Sequence, residues 1–210
     1  MFIDVSMDIT DGMLHWPSDP EIKIDNYSEI KKGAAANNSK ITCGVHTGTH
    51  IDAPRHFIDE GIGIDRLDIN KLIGPCRVIY VPADISTISK EFLEPLNINK
   101  GDRLLFKTKN SELINSGDKN FHTDYVCVNP EASKYMVEKG VLLVGVDYLS
   151  VEGYHVGHDT HKTLLGAGVI VIEGLNLFNV QAGDYKLIAL PVKIKDSNGA
   201  PARVILEKLI

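Results

Sequence analysis

Residues 46–57 read His46-Thr47-Gly48-Thr49-His50-Ile51-Asp52-Ala53-Pro54-Arg55-His56-Phe57 and combine three histidines with an aspartate. Side chains alternate between the two faces of an extended strand, so His46, His50 and Asp52 would share one face, with the small Gly48 between the imidazoles. In a helix Asp52 would point about 120° away from the histidines, and the glycine and proline of the stretch disfavour helix. The spacing therefore predicts an extended segment over residues 46–52 on which three possible metal ligands converge.

This donor set indicates which ions such a site would accept. Two neutral imidazoles and a carboxylate suit Zn²⁺, Mn²⁺ or Fe²⁺, and the lack of a thiolate argues against a structural zinc site. An alternative interpretation is that the histidines are hydrogen-bonded residues of a polar turn. Asp52 and His56 at compatible spacing favour an open, reactive metal site instead.

A second histidine cluster lies at residues 154–161 and precedes an apolar run that ends at Glu173. A carboxylate at the end of so apolar a strand is costly to bury unless it is paired, hydrogen-bonded or bound to metal. Two interpretations remain open for Glu173: it binds a metal, or it emerges into solvent where the strand ends. His155 and His158 are interpreted as polar loop residues.

Composition excludes several classes of protein. The 210 residues carry 22 basic and 28 acidic side chains, a net charge of −6, so no basic field is present to bind nucleic acid. The three cysteines form no Cys-x-x-Cys pair, which argues against a disulfide framework or zinc finger and favours a reducing compartment. The apolar runs are far shorter than the roughly 18 residues of a membrane helix, and the first ten residues do not resemble a secretory signal. We therefore expect a cytoplasmic protein that binds neither nucleic acid nor membrane.

The hydrophobic pattern predicts one mixed α/β (α+β) domain over residues 1–210, with more strand than helix. Strands are predicted at Met1–Ser6, Lys40–Val45, Cys76–Val81, Arg103–Lys107, Tyr125–Val128, Val141–Val146, Gly168–Ile172, Tyr185–Lys195 and Ala202–Leu209. Helices are predicted at Ser89–Leu93 and Asn129–Val137, and loops at Asp19–Ala36, after Asp52, at Lys109–Lys119 and at Val151–Thr160. Two of the strands, at 141–146 and 168–172, are continuously apolar, which is typical of central strands covered on both faces.

Other hydrolytic and nucleotide-dependent chemistries lack their motifs. No Gly-x-Ser-x-Gly elbow marks a nucleophilic serine. Gly166-Ala167-Gly168 lacks the third glycine and the lysine of the phosphate-binding loops. Metal-assisted hydrolysis is the chemistry that remains.

These same residues resemble the metal-dependent cyclase family of hydrolases and, within it, the branch of bacterial kynurenine formamidases. The resemblance extends over the whole chain, and residues 46–57 are its most specific part. Its supporting segments are the early stretch with His15-Trp16-Pro17-Ser18-Asp19, then Gly145-Val146-Asp147, His161 with Glu173-Gly174-Leu175, and residues 182–191.

The resemblance implies a fold and a set of functional residues. The fold is a single domain of the swivelling β/β/α type with a barrel-like mixed sheet. The implied centre holds two divalent ions, with zinc expected first and manganese or iron as alternatives. Its residues are His46, His50 and Asp52 for one ion, His161 for the second, Asp52 and Glu173 for both, His56 as the acid/base, and Trp16 in the substrate pocket. A core position for Trp16 is the alternative.

The resemblance also implies an activity. It is the hydrolysis of a small-molecule amide, N-formylkynurenine, to kynurenine and formate, by a homodimer or homotetramer. Alternatives are hydrolysis of another amide or of a cyclic, isatin-like amide, and a metal-binding module without catalysis. Four histidines are left without a role, namely His15, His122, His155 and His158.

Overall fold

The computed structural model describes residues 1–208. The strands are β1 Phe2–Asp4, β2 Lys23–Ser28, β3 Asn38–Thr42, β4 His50–Asp52, β5 Ile73–Tyr80, β6 Thr87–Ile88, β7 Arg103–Lys107, β8 Cys127–Val128, β9 Leu143–Val146, β10 Ile170–Glu173, β11 Gly183–Pro191 and β12 Gly199–Lys208. The α-helices are α1 Ile69–Leu72, α2 Lys90–Leu93, α3 Asn110–Ser116, α4 Pro130–Lys139 and α5 Asp159–Gly166. Within residues 1–208, no helix reaches the length and hydrophobicity that a membrane span requires.

Seven strands close into a mixed, barrel-like sheet. Their order is β12-β11-β5-β7-β9-β10-β4, and β4 also pairs with β12, which completes the ring. The neighbours from β5 through β10 are parallel, whereas β4, β11 and β12 pair antiparallel. The predicted α/β class with a barrel-like mixed sheet is thus confirmed.

Two apolar clusters pack against the two faces of this sheet. One cluster draws a side chain from every barrel strand and fills the interior, whereas a second lies between the outer face and helices α2, α4 and α5. Strand β7 shows the alternation, since Leu105 joins the inner cluster and Leu104 and Phe106 the outer one. Strands β9 and β10 are buried at every position. The prediction that they are central strands covered on both faces is correct.

The predicted strands recur with shifted ends. Strand β7 has the predicted bounds, whereas the strand predicted at 125–128 shortens to Cys127–Val128. Strand β11 begins earlier and ends at Pro191, and β12 begins at Gly199. Leu209, the predicted end of the last strand, lies outside the described residues.

Helix α4 follows its sequence signals, because the Asn129 side chain accepts a hydrogen bond from the Ala132 amide at 2.8 Å and Pro130 occupies the first turn. Three elements replace predicted loops: α3 in residues 109–119, β2 in residues 19–36, and the start of α5 in residues 151–160. Helix α3 owes its start to a distant residue, since buried Asp147 accepts hydrogen bonds from the Ser111 amide and hydroxyl at 3.1 and 2.6 Å. A tertiary contact of this kind leaves no local signal.

Candidate metal centre and substrate pocket

The centre forms where β4 lies between β10 and β12. In the antiparallel pairing of β4 with β10, His50 lies opposite Glu173. Their side chains meet, with His50 Nε2 3.2 Å from Glu173 Oε2. Strand β4 carries His50 and strand β10 carries Glu173, and the register between the two strands brings these possible ligands together.

The extended segment predicted for residues 46–52 is wrong in its first half. Only His50–Asp52 is strand, and residues 45–49 turn, with Gly48 at φ +60°. Two further glycines accommodate this turn. A Cβ at Gly174 would collide with the carbonyl oxygen of Gly48, and a Cβ at Gly199 would lie 2.6 Å from Cε1 of His46. The turn, rather than a strand, brings His46 to the centre.

The side chains form two groups that share Asp52. In the first, Asp52 Oδ1 lies 2.9 Å from His46 Nδ1 and 3.6 Å from His50 Nε2. In the second, His161 Nε2 lies 3.1 Å from Glu173 Oε1 and 3.7 Å from Asp52 Oδ2. Within each group the possible ligand atoms lie within 4.8 Å of one another. The structure thus brings together the five residues expected to bind metal.

The centre is almost closed to solvent, and its polar atoms are incompletely paired. Asp52 is fully buried and Glu173 is 4% exposed, so the interpretation that Glu173 emerges into solvent is wrong. Among the described residues, His50 Nε2 and Asp52 Oδ2 are buried without a hydrogen-bond partner. An unsatisfied buried polar atom costs about 1–3 kcal/mol, and a divalent cation would satisfy both atoms. The residues present therefore fit a metal of the kind that His, Asp and Glu accept.

Each histidine in the centre is oriented by a partner on its other nitrogen. His50 Nδ1 lies 2.8 Å from the carbonyl of Gly48, His161 Nδ1 lies 2.7 Å from Glu152 Oε2, and His46 Nε2 lies 3.1 Å from Asn198 Oδ1. Sequence reasoning missed both side-chain partners. Glu152 follows a single apolar residue, Val151, and not an apolar run such as the one that ends at Glu173, and nothing in the sequence marks Asn198.

His56 lies beside the centre on a 3₁₀ turn, Pro54–His56. Its ring stacks on that of His46, with centroids 3.9 Å apart and planes 25° apart. Burial is the largest influence on the pKa of His56, and together with the neighbouring His46 and His161 it lowers this pKa to about 4 despite the opposing effect of Asp52 and Glu173. His56 is therefore a neutral imidazole at pH 7.

Four buried groups of the centre, His50, His161, Asp52 and Glu173, have pKa values that favour their charged forms. Burial opposes a charge on His50 and His161, yet the carboxylates around them prevail and raise their pKa values to about 8 and about 10. Burial likewise opposes the charge of Asp52 and Glu173, but hydrogen bonds from the histidines hold both pKa values below their usual range. The metal-free centre is a network of imidazolium and carboxylate ions, and a cation that binds there displaces protons from the histidines.

A cavity of about 230 Å³ adjoins the centre and is lined by His46, His56, His161 and Glu173. Its apolar lining comes from Trp16, Phe57, Leu149, Tyr154 and Val156. Trp16 is half-buried and packs against Phe121 and Tyr154, with ring centroids 5.0 and 5.4 Å away. The residue thus lines the cavity and also packs in an aromatic cluster, so the two interpretations of Trp16 are compatible.

The four histidines without a predicted role lie outside the two ligand groups. His15 Nδ1 lies 3.0 Å from the Met13 carbonyl, and His122 Nε2 lies 2.7 Å from Asp118 Oδ2. His155 and His158 lie on an exposed loop, as interpreted from the sequence. The His158 side chain, 64% exposed, also lines the cavity.

Comparison with known proteins places this geometry in a family. Residues 3–153 match the Cyclase family model, described as "Putative cyclase". The chain is also 32% identical to the kynurenine formamidase of Bacillus cereus over 99% of its own length and 98% of that relative's. The chain belongs to the cyclase family.

Solved structures agree with this membership. The cyclase-family chain is 38% identical to a structure described as a "predicted metal-dependent hydrolase from Bacillus stearothermophilus", with a TM-score of 0.85 and coverage of 98% and 97% of the two chains. Isatin hydrolase A from Ralstonia solanacearum shares the fold, with 24% identity, a TM-score of 0.82 and coverage of 98% and 91%.

Proposed function

We propose that the protein hydrolyses the formamide bond of N-formylkynurenine and releases kynurenine and formate. The proposal rests on two buried ligand groups that share Asp52 and lie beside neutral His56 at an aromatic-lined cavity. The similarity to a kynurenine formamidase over nearly the whole chain supports the choice of substrate. More broadly, the protein is a metal-dependent amidohydrolase of the cyclase family.

Two divalent ions, zinc before manganese or iron, are part of the proposal. His46, His50 and Asp52 would hold one ion, and His161 with Asp52 and Glu173 the other. Such ions, when bound, polarise a substrate carbonyl and lower the pKa of a water molecule toward about 7. The two orphaned atoms, on His50 and Asp52, support occupancy of both groups.

His56 would move the protons of the reaction. Hydrolysis of an aryl formamide adds water across the C–N bond, so one proton must reach the departing aniline nitrogen. A neutral imidazole accepts a proton at a ring nitrogen during the attack of water and returns it to that leaving nitrogen. The position of His56, stacked on His46 and lining the cavity, supports this role.

The apolar cavity lining would orient the substrate. A cavity of about 230 Å³ is somewhat smaller than the roughly 300–1,000 Å³ of common ligand pockets and suits a compound built on one aromatic ring. The Trp16 and Tyr154 rings offer faces or edges for that ring. The volume and the partly apolar lining of the cavity thus support a substrate with one aromatic ring.

Assembly and location are part of the same proposal. We propose a cytoplasmic homodimer or homotetramer that acts on a small-molecule amide and binds neither nucleic acid nor membrane. The hairpin of β2 and β3 supports self-association, because Tyr27, Ile30 and Ile41 are 71, 57 and 53% exposed. Sedimentation of the purified protein tests the oligomeric state, and a monomer at micromolar concentration would contradict the proposed self-association.

The assay for activity is direct. Metal-loaded protein is expected to convert N-formylkynurenine to kynurenine with release of one equivalent of formate. Hydrolysis of isatin in place of N-formylkynurenine would overturn the substrate and favour the cyclic-amide alternative, which the fold shared with isatin hydrolase A makes the natural second candidate. Stable metal binding with no hydrolysis of either compound would overturn both substrates, and a panel of other amides would then separate an enzyme for another amide from a metal-binding module.

A further inference from the structure

Glu152 is a buried carboxylate outside both ligand groups, and it lies directly behind one of their members. The residue is 3% exposed. Its Oε1 accepts a hydrogen bond from the Thr160 amide at 2.9 Å, and its Oε2 lies 2.7 Å from His161 Nδ1. Both carboxylate oxygens are thus directed to the first turn of helix α5.

The backbone of Glu152 is held as firmly as its side chain. Its amide donates to the Ser150 hydroxyl at 3.2 Å, and its carbonyl accepts a hydrogen bond from the Tyr125 hydroxyl. His158 Nδ1 lies 3.6 Å from the same Oε2, but its side chain is 64% exposed. Glu152 is therefore a fixed acceptor, whereas His158 is an exposed neighbour of it.

Two contacts determine how the His161 ring is presented. Phe57 stacks on this ring with centroids 4.4 Å apart and planes 22° apart, which sets the ring plane. Stacking does not distinguish one ring nitrogen from the other. Each ring nitrogen faces a carboxylate oxygen, with Glu152 Oε2 2.7 Å from Nδ1 and Glu173 Oε1 3.1 Å from Nε2. Glu173 belongs to the ligand group and would bind the ion itself, so Glu152 is the acceptor that holds an N–H at Nδ1 and leaves the lone pair of the neutral ring on Nε2.

We propose that Glu152 is the positioning residue that fixes the His161 proton on Nδ1 and so presents Nε2 to a divalent ion. This inference rests on the metal centre of the proposed function. At His50 the acceptor that faces Nδ1 is the backbone carbonyl of Gly48, and no side-chain substitution removes that acceptor. At His161 the acceptor that faces Nδ1 is the side chain of Glu152.

The test compares three variants. Glu152→Gln cannot accept from Thr160 and His161 at once, because one carboxylate oxygen becomes an amide donor. Glu152→Asp keeps a carboxylate on a shorter side chain and serves as the conservative rescue. Tyr125→Phe is the matched control, since it removes a tie to the Glu152 backbone and leaves the carboxylate intact.

Zinc is titrated into chelator-treated protein against a competing dye. We expect Glu152→Gln to weaken the binding of one zinc ion by about 10–100-fold, Glu152→Asp to restore part of that loss, and Tyr125→Phe to bind as wild type. Equal zinc binding by wild type and Glu152→Gln would overturn the inference and leave the proposed function standing. Failure of wild type to bind any divalent ion would overturn both.

A second measurement needs no variant. In zinc-loaded wild-type protein with ¹⁵N-labelled histidine, the His161 resonances are expected to show a protonated Nδ1 and a metal-bound Nε2. A proton on Nε2 would refute the inference even if Glu152→Gln failed to fold.

Discussion

Asp52 is the residue that the two ligand groups share, because its Oδ1 faces His46 and His50 and its Oδ2 faces His161. The carboxylate is fully buried, and one of its oxygens lacks a hydrogen-bond partner among residues 1–208. Burying an anion in this state is costly unless a cation compensates for it. The histidines around Asp52 compensate its charge in part, and a bound metal would also satisfy the oxygen that has no hydrogen-bond partner.

His56→Ala separates proton transfer from metal binding. We expect kcat for N-formylkynurenine to fall by about 10²–10⁴-fold, the usual contribution of general acid/base catalysis, while zinc stoichiometry stays at the wild-type value. Steady-state kinetics and elemental analysis of the same preparation check this. Unchanged kcat would remove His56 from the mechanism.

Gly199→Ala probes the space that the His46 ring occupies. The added Cβ would lie 2.6 Å from His46 Cε1, so the ring must move, and overpacking of this kind costs about 1–3 kcal/mol. We expect weaker zinc binding and a lower melting temperature. Gly157→Ala is the control, because nothing lies within 4 Å of the added methyl group; equal behaviour of the two variants would contradict the prediction.

At the scale of elements, helix α4 offers a test that is independent of the site. Asn129→Ala removes the hydrogen bond to the Ala132 amide and is expected to lower the free energy of unfolding by about 1 kcal/mol. Lys134→Ala, on the exposed side of the same helix, should change it by less than about 0.5 kcal/mol. Urea unfolding measures both, and equal midpoints for the two variants would contradict the predicted role of the cap.

Helices and strands differ in how well the sequence predicts them. Strand β7 and helix α4 have strong local signals, namely a short apolar run and a cap followed by proline, and both were predicted. Helix α5 departs from the prediction because its N-cap residue, His158, makes no side-chain capping hydrogen bond, and the Thr160 amide donates instead to Glu152 in the preceding loop. Its histidine, His161, was assigned through the family resemblance and not from its own pattern.

Some residues of the candidate site are also indicated by local sequence, whereas others depend on contacts between distant parts of the chain. His46, His50 and Asp52 are close in sequence, so their spacing alone indicated a shared function. Glu173 was marked by its apolar strand, but its pairing opposite His50 depends on the register of β4 and β10. Asn198 approaches His46 across 152 residues of chain, and local pattern carries no information about such a contact.

For the whole molecule, the histidines make stability depend on pH when metal is absent. The folded pKa values of His50 and His161, about 8 and about 10, exceed the unfolded value of about 6.5. Their contribution is therefore complete below pH 6.5 and is lost as the pH rises through 8 toward 10. We expect the melting temperature of chelator-treated protein to fall between pH 6.5 and 9.5.

The zinc-loaded protein provides the comparison for this measurement. Metal binds neutral imidazole, so its binding strengthens as the pH rises through the histidine pKa values. Zinc should accordingly raise the melting temperature more at pH 9 than at pH 6.5. A metal-free melting temperature that rises over this range would show that His50 and His161 are not held protonated in the fold.

The three-residue strand β4 closes the barrel between β10 and β12, and this affects the order in which the molecule can be built. The ribosome releases residues 50–52 long before either partner strand exists, and pairs so distant in sequence form slowly. Until residues 199–208 emerge, β4 can pair only with β10, and the seam between β4 and β12 stays open. Closure of the ring is therefore a late event in biogenesis, whereas all five residues of the two ligand groups precede β12 in the chain.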